Sequence, residues 1–348
     1  MLSNLLSKAG CLVLGAGLLL ASAGARAQDV YFSQPFATRL YTNPAFAGLL
    51  DDYGVTLAYR NQFPTLAGTF QTVQLAADVR LPTKALHHAL GLVLTQDRTG
   101  EVGYTRLEIS AIYTYHTRLT ETLALSGGLG LGYGRQRVGY DNLLFGDQLS
   151  ADGTYTGPTA EPLSFVPVNY FSIDPGVVLY TERTWLSVAA QHLNQPSLGF
   201  RQQSLLPVRL SVSGGYKFFL QRATTGKGLA EVGEISFAPV AGYTRQGVSS
   251  RTEAGLYATV APITLGATYR NIGGNTSVER LHVLALTAGV AFGAFRFGYC
   301  YDVGLSTLSA DLGGAHELTL SLRSFDQLEG AYRRLRRRAY PIVPFPAY

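Results

Sequence analysis

Apolar and polar residues alternate with period two along most of the chain. Val73, Leu75, Ala77, Val79 and Leu81 oppose Thr72, Gln74, Asp78 and Arg80. Leu107, Ile109, Ala111, Tyr113 and Tyr115 oppose Arg106, Glu108, Ser110, Thr114 and His116, with Ile112 as the exception. Val208, Leu210 and Val212 oppose Arg209, Ser211 and Ser213, and Leu318, Leu320 and Leu322 oppose Glu317, Thr319, Ser321 and Arg323. Such alternation marks strands with one apolar and one polar face. Strands are expected to begin near Tyr53, Phe70, His88, Thr105, Thr122, Val168, Thr184, Leu206, Val232, Ser250, Pro262, His282, Phe295 and Gly314. The pattern therefore predicts an all-β fold, a transmembrane antiparallel up-and-down β-barrel of about fourteen strands over residues 53–325. An even count leaves both ends of the barrel on one side. Short inner turns at Leu119-Thr120-Glu121, Glu182-Arg183 and Ala261-Pro262 face longer outer connections at 138–167, 194–205 and 271–281. Residues 221–231 break that asymmetry as a long inner connection.

Composition favours a membrane barrel over a soluble sandwich or propeller. Only 15% of the 348 residues are charged, while 39 are Gly and 21 are Tyr. Lipid-facing positions must be apolar, and interfacial positions favour Tyr. No blade-length repeat supports a propeller. The N-terminus reads as an export signal over residues 1–27. Lys8 precedes an apolar run from Cys11 to Ala23, and Ala25-Arg26-Ala27 presents small residues to a signal peptidase. That run is short for a spanning helix, which needs about 20 apolar residues. Cys11 precedes the run, with Lys8 where a lipoprotein signal wants an aliphatic residue. Loss of the signal leaves Cys300 alone, so no internal disulfide is expected.

The net charge of +5 falls to +3 without Lys8 and Arg26, and to −2 without Arg333, Arg334, Arg336, Arg337 and Arg338. The basic character is thus confined to one tail, and the body gives no footprint for nucleic acid. Residues 326–348, with these arginines and Pro341, Pro344 and Pro346, read as a basic, Pro-rich periplasmic tail. It is either a solvated, disordered end or a handle for a periplasmic partner or anionic headgroups.

No catalytic constellation stands out. The chain lacks G-x-S-x-G, H-E-x-x-H and a P-loop, so a non-enzymatic role without cofactors is expected. His87-His88 reads as a turn pair, since no cysteine or carboxylate lies at metal-ligand spacing. Gly127-Gly128-Leu129-Gly130-Leu131-Gly132 sits inside a strand pattern, where glycines admit curvature or the close packing of a plug. Asp147, Asp152 and Glu161 on the long outer loop match no calcium-loop spacing and read as ordinary loop acidity. Asp78, Arg80, Arg106 and Glu108 face the lumen and are expected to pair across strands, filling the interior or lining a polar path.

Several short motifs recur in a specific order. Gln28-Asp29 and Phe32-Ser33-Gln34 precede Asn43-Pro44-Ala45-Phe46-Ala47-Gly48 and Tyr59-Arg60-Asn61-Gln62-Phe63. Phe145-Gly146-Asp147-Gln148, Asp174-Pro175-Gly176, His192-Leu193-Asn194-Gln195-Pro196, Tyr299 to Asp302, and Gly313-Gly314-Ala315-His316-Glu317 follow. This succession resembles the PorP/SprF family of outer-membrane proteins over residues 28–323. The tail after Phe325 departs from that pattern. The resemblance implies an outer-membrane component working with type IX secretion and gliding machinery. It also implies an adaptor for a large secreted partner bearing a C-terminal sorting domain. A diffusion porin or hydrophobic-solute transporter is the competing reading.

The segment 28–52 is read as a structural lead-in, with a plug or lid as the functional alternative. Asn43 can cap its own backbone and Pro44 fixes φ, while Gly48 permits a sharp bend. Tyr59, Arg60, Asn61 and Gln62 place Arg60 and Gln62 on one face of the first strand. A lumenal Arg60 there can anchor the N-terminal segment by charge-assisted hydrogen bonds. The signal reading makes a direct prediction. Intact mass and N-terminal sequencing of protein from outer membranes should give a mature chain beginning at Gln28, and a retained residue 1 contradicts it.

Overall fold

In the computed structural model, the described residues are 29–50, 52–65, 70–81, 87–100, 103–139, 144–150, 154–160, 166–200, 203–221, 234–274, 280–306, 313–323 and 343–346. The export signal and Arg333 to Arg338 lie outside them.

The strands are β1 (Tyr53–Gln62), β2 (Phe70–Arg80), β3 (His88–Thr99), β4 (Tyr104–Arg118), β5 (Ala124–Arg137), β6 (Val168–Tyr180), β7 (Thr184–Gln191), β8 (Arg209–Tyr216), β9 (Phe218–Gln221), β10 (Ile235–Gln246), β11 (Ser249–Val260), β12 (Ile263–Gly274), β13 (Leu281–Phe292), β14 (Phe295–Gly304) and β15 (Ala315–Arg323). β8 and β9 both pair with β10 and are halves of one crossing interrupted at Lys217, so the chain crosses fourteen times. Each crossing pairs antiparallel with the crossings before and after it, and β15 pairs with β1, Arg60 opposite Glu317. The sheet closes on itself through the β1–β15 pairing. Closure is what hydrocarbon demands, because an unpaired amide there has no water to turn to.

Side chains sort between lipid and lumen as the alternation requires. On β1, Val55, Leu57 and Tyr59 point outward, while Thr56, Ala58 and Arg60 are buried inside. The outer apolar band runs on through Leu75, Ile109, Leu131, Leu265 and Leu320. Exposed aromatics flank it. Tyr113, Tyr115, Phe218, Phe292 and Phe295 lie toward the short-turn end, and Tyr59, Tyr133, Phe171 and Tyr243 toward the long-loop end. Outward Tyr–His pairs join this dressing, with Tyr269 Oη 2.7 Å from His282 Nδ1 and Tyr299 Oη 2.9 Å from His316 Nδ1. Amphipathic rings at both rims are the expected interfacial girdles.

The inward faces are unusually small. Ala58, Ala76, Ala89, Thr114, Ser126 and Ser187 are all buried there. The space they leave is filled by the N-terminal segment, residues 29–50, which carries helix α1 (Arg39–Thr42) and a 3-10 turn (Pro44–Phe46). The barrel's core is therefore its plug. Phe36, Leu40, Ala45, Phe46 and Leu49 join wall residues Ala76, Ala89, Val93, Ile112 and Trp185 in one cluster.

Of the segment read as a periplasmic tail, residues 326–348, the structure describes Val343 to Pro346, and for these four it replaces a solvated end with a buried one. Val343 to Pro346 are buried in the lumen, with Val343 and Phe345 in the same apolar cluster as the plug. Withdrawing Phe345 from water among aromatic rings offsets the cost of ordering a short segment, a tertiary effect that the Pro-rich composition did not register.

The sorting predicts a steep cost for charge on the outer face. Leu57→Arg places a cation near mid-height of the lipid-facing band. It should destabilise the barrel by about 2–4 kcal/mol in urea unfolding from lipid vesicles. No measurable loss would contradict the assignment of that face to lipid.

Candidate functional site: the plugged lumen

The plug is held by polar groups along its whole length. Nearest its centre, Asn43 acts as the cap foreseen from the sequence, its Oδ1 accepting the Ala45 N–H at 2.8 Å. The same side chain reaches the wall, where Nδ2 donates to Ser187 Oγ at 2.9 Å and to the Val188 carbonyl at 3.1 Å. Pro44 begins the 3-10 turn, where its missing N–H costs nothing. Thr114 Oγ1 donates to the Pro44 carbonyl at 3.0 Å, and Ser126 Oγ to the Ala45 carbonyl at 2.6 Å.

Two wall glycines make this approach possible. A β-carbon at Gly128 would collide with the Ala45 backbone, lying 2.6 Å from its Cα, and one at Gly176 would overlap the Asn43 amide. Within the glycine-rich run on β5, Gly128 thus serves plug packing, while Gly130, Gly132 and Gly134 make room for side chains of β6. Gly48 takes φ +69°, and a β-carbon there would meet Ala89 Cβ at 2.6 Å. Its backbone is clamped on both sides. The N–H donates to Asp78 Oδ2 at 2.8 Å, and the carbonyl accepts from Arg80 Nε at 2.8 Å.

Two ionic locks secure the rest. In the first, Arg60 Nη1 donates to Ser33 Oγ at 2.6 Å, as its lumenal position had suggested, and contacts Glu317 Oε2 at 3.1 Å. Arg60 Nη2 pairs with Asp302 Oδ2 at 2.8 Å, and Arg270 Nη1 with Asp302 Oδ1 at 3.0 Å. Glu317 accepts the backbone N–H groups of Ser33 and Gln34 at 2.6 and 2.9 Å. The Ser33 carbonyl accepts from Arg270 Nη2 at 2.8 Å. Two arginines and two carboxylates balance around a single serine, so charges almost wholly removed from water are each paired. In the second lock, Asp29 joins Arg106 Nη1 at 2.7 Å and His192 Nε2 at 2.8 Å. Its other contacts are to Gln246, whose Nε2 donates to Oδ2 at 2.7 Å. A third pair, Arg39 Nη2 to Asp78 Oδ1 at 2.7 Å, ties α1 to β2.

This geometry revises one expectation. Asp78, Arg80 and Arg106 turn inward and bond the plug, Asp78 at Gly48 and Arg39, Arg80 at Gly48 and Arg106 at Asp29. Arg106 and Glu108 do meet, at 2.9 Å, within one strand. Gln62 shares the inner face with Arg60, whose Nη2 donates to its Oε1 at 3.4 Å, whereas Tyr59 points to lipid and Asn61 is half-buried. His87 Nδ1 lies 2.7 Å from the His116 carbonyl, and His88 Nδ1 lies 2.7 Å from Tyr113 Oη, both near the turn end. On the long loop, Asp147 is exposed and accepts from Ala160 N at 2.6 Å and Thr159 Oγ1 at 2.8 Å. These bonds hold its carboxyl below the usual carboxylate range. Asp152 and Glu161 lie outside the described residues.

Sequence reading missed Asp29, Ser33, Gln34, Arg39, Arg270, Asp302 and Glu317 as a connected set. The available signal was charge placed on inner faces of a chain that otherwise avoids it. Between the plug and β8, β10, β11 and β12 remains a small pocket, walled by Phe32, Phe36 and Tyr257 and by Arg209, Arg251 and Glu253.

Asn43-Pro44, Arg60, Gly176, His192, Asp302 and Glu317, drawn from motifs scattered along the chain, thus converge on one assembly. The family model for the type IX secretion system membrane protein PorP/SprF matches residues 25–322. The chain belongs to the PorP/SprF family. Among solved structures, the chain is similar to the toluene transporter TbuX of Ralstonia pickettii. They share 14% identity over 83% of this chain and 94% of that one, with a TM-score of 0.46. A Pseudomonas aeruginosa FadL homologue shares 11% identity over 82% and 94% of the two chains, with a TM-score of 0.44. The toluene transporter TodX of Pseudomonas putida shares 10% over 81% and 93%, with a TM-score of 0.42. No curated protein matches the chain. Its membrane barrel, read from its own strand pairing, is that of a PorP/SprF protein with a locked plug.

Two substitutions test the lock. Arg60→Met leaves Asp302 and Glu317 short of a cation and should weaken plug docking by roughly 3–5 kcal/mol, as when one partner of a buried ion pair is removed. Trypsin should then cut after Arg39 in an otherwise folded barrel. Gly128→Leu should expel the 3-10 turn and raise conductance in planar bilayers. Continued protection of Arg39 together with unchanged conductance would show that the plug does not depend on these contacts.

Proposed function

We propose that this PorP/SprF protein is a non-enzymatic outer-membrane adaptor. It supports the export or surface attachment of a cognate secreted protein that carries a C-terminal sorting domain. In this reading it is exported through the Sec pathway, loses its signal after Ala27, and sits in outer-membrane lipid beside type IX secretion components, with a place in gliding motility. The short turns face the periplasm and the long loops the cell surface. The observation that carries the proposal is the plug. Asp29 to Leu50 occupy the lumen and are tied to opposite walls by the Ser33, Asp29 and Arg39 contacts. A general diffusion porin needs an open aqueous path, and a lumen filled this way supports docking at the barrel's rims over permeation through it. Family membership supports the secretion setting.

The adaptor reading is tested by deletion and by affinity purification from outer membranes. One large secreted protein should disappear from the cell surface on deletion and should co-purify with the tagged barrel. Wide, stable conductance from the purified wild-type protein, with every surface protein retained in the deletion strain, would overturn it.

A further inference from the structure

The turn-end mouth holds a segment that barrel closure does not require. β15 ends at Arg323, yet Val343, Pro344, Phe345 and Pro346 lie buried inside the lumen. Pro344 centres a three-residue turn in which the Phe345 N–H donates to the Val343 carbonyl at 2.8 Å. The turn directs the Phe345 ring between Phe36 and Phe46 of the plug and Trp185 of β7. Its centroid lies 4.9 Å from each phenylalanine and 5.0 Å from the tryptophan, within the range of favourable aromatic pairs. A polar hook completes the seat. Lys217, at the break between β8 and β9, donates from Nζ to the Phe345 carbonyl at 3.1 Å. Glu234 holds that ammonium at 2.6 Å and itself accepts from Ser236 Oγ at 2.6 Å.

We infer that this is a peptide-binding seat for a short aromatic segment flanked by prolines, and that the chain's own C-terminal end is its resident ligand. The chemistry matches in three ways. The ring fills an aromatic slot shared between plug and wall. The prolines restrict φ on both sides, so little backbone freedom is lost on docking. The Phe345 carbonyl is taken by a charged donor. The sequence Pro-Phe-Pro occurs once in the chain. The inference stands on this geometry and is independent of the secretion role.

Trp185 is the chain's single tryptophan and reports the seat directly. In full-length protein in detergent, Phe345→Ala should shift Trp185 emission to longer wavelength and increase its quenching by acrylamide. Heat-modifiable gel migration verifies the barrel. A synthetic peptide of residues 340–348, added in excess to that variant, should reverse both changes. The same peptide with alanine in place of its phenylalanine should not. If Phe345→Ala does not assemble, Phe345→Leu takes the same measurements. Emission unchanged by the substitution, or a wild-type peptide that never restores it, overturns the proposal.

Discussion

Backbone amides in hydrocarbon have no solvent to pair with, and every other feature of this protein answers to that constraint. Fourteen crossings close on themselves through β15 and β1. Closure sets the two-faced character of each strand. It also creates an interior volume that must be filled or left to water. Here it is largely filled by protein, and the filling is as specific as a soluble core.

The plug explains features that barrel closure alone does not. Small residues and glycines on the inner wall would weaken an ordinary core, but they leave room for a backbone. Gly128 and Gly176 admit the Asn43 to Ala45 turn to within contact distance. Buried charges, expensive on their own, become a means of specifying one register of plug against wall. Ser33 can satisfy its neighbours only where Arg60, Arg270, Asp302 and Glu317 meet, and Asp29 only between Arg106 and His192. Apolar packing of Phe36, Phe46 and Trp185 then sets the turn-end half of the lumen, where Phe345 enters as well.

This arrangement gives the short motifs singled out in the sequence a physical meaning. The Asn-Pro turn, the Tyr-Arg-Asn strand, the Asp-Pro-Gly and His-Leu-Asn-Gln-Pro segments and the final Ala-His-Glu are far apart in sequence. Each after the first places one residue against the inserted segment, Arg60, Gly176, His192 and Glu317 among them. A partner that engages either rim would meet a surface whose interior is already ordered, so it need not spend binding energy on organising the lumen.

Strand positions, closure and the lipid-facing surface were legible in the sequence, because period-two alternation is a local property and each residue's side follows from its neighbours. The Asn43 cap, the Gly48 bend and the lumenal direction of Arg60 were legible for the same reason. The identity of the partners was not. Which carboxylate answers Arg60, why Asp78 faces Gly48 and Arg39 instead of an adjacent strand, and how a Pro-rich end returns to Trp185 depend on contacts between residues 30 to more than 280 positions apart. Alternation states only that a charge faces inward. What it meets there is decided by the volume the closed barrel encloses and by the segment that folds into it.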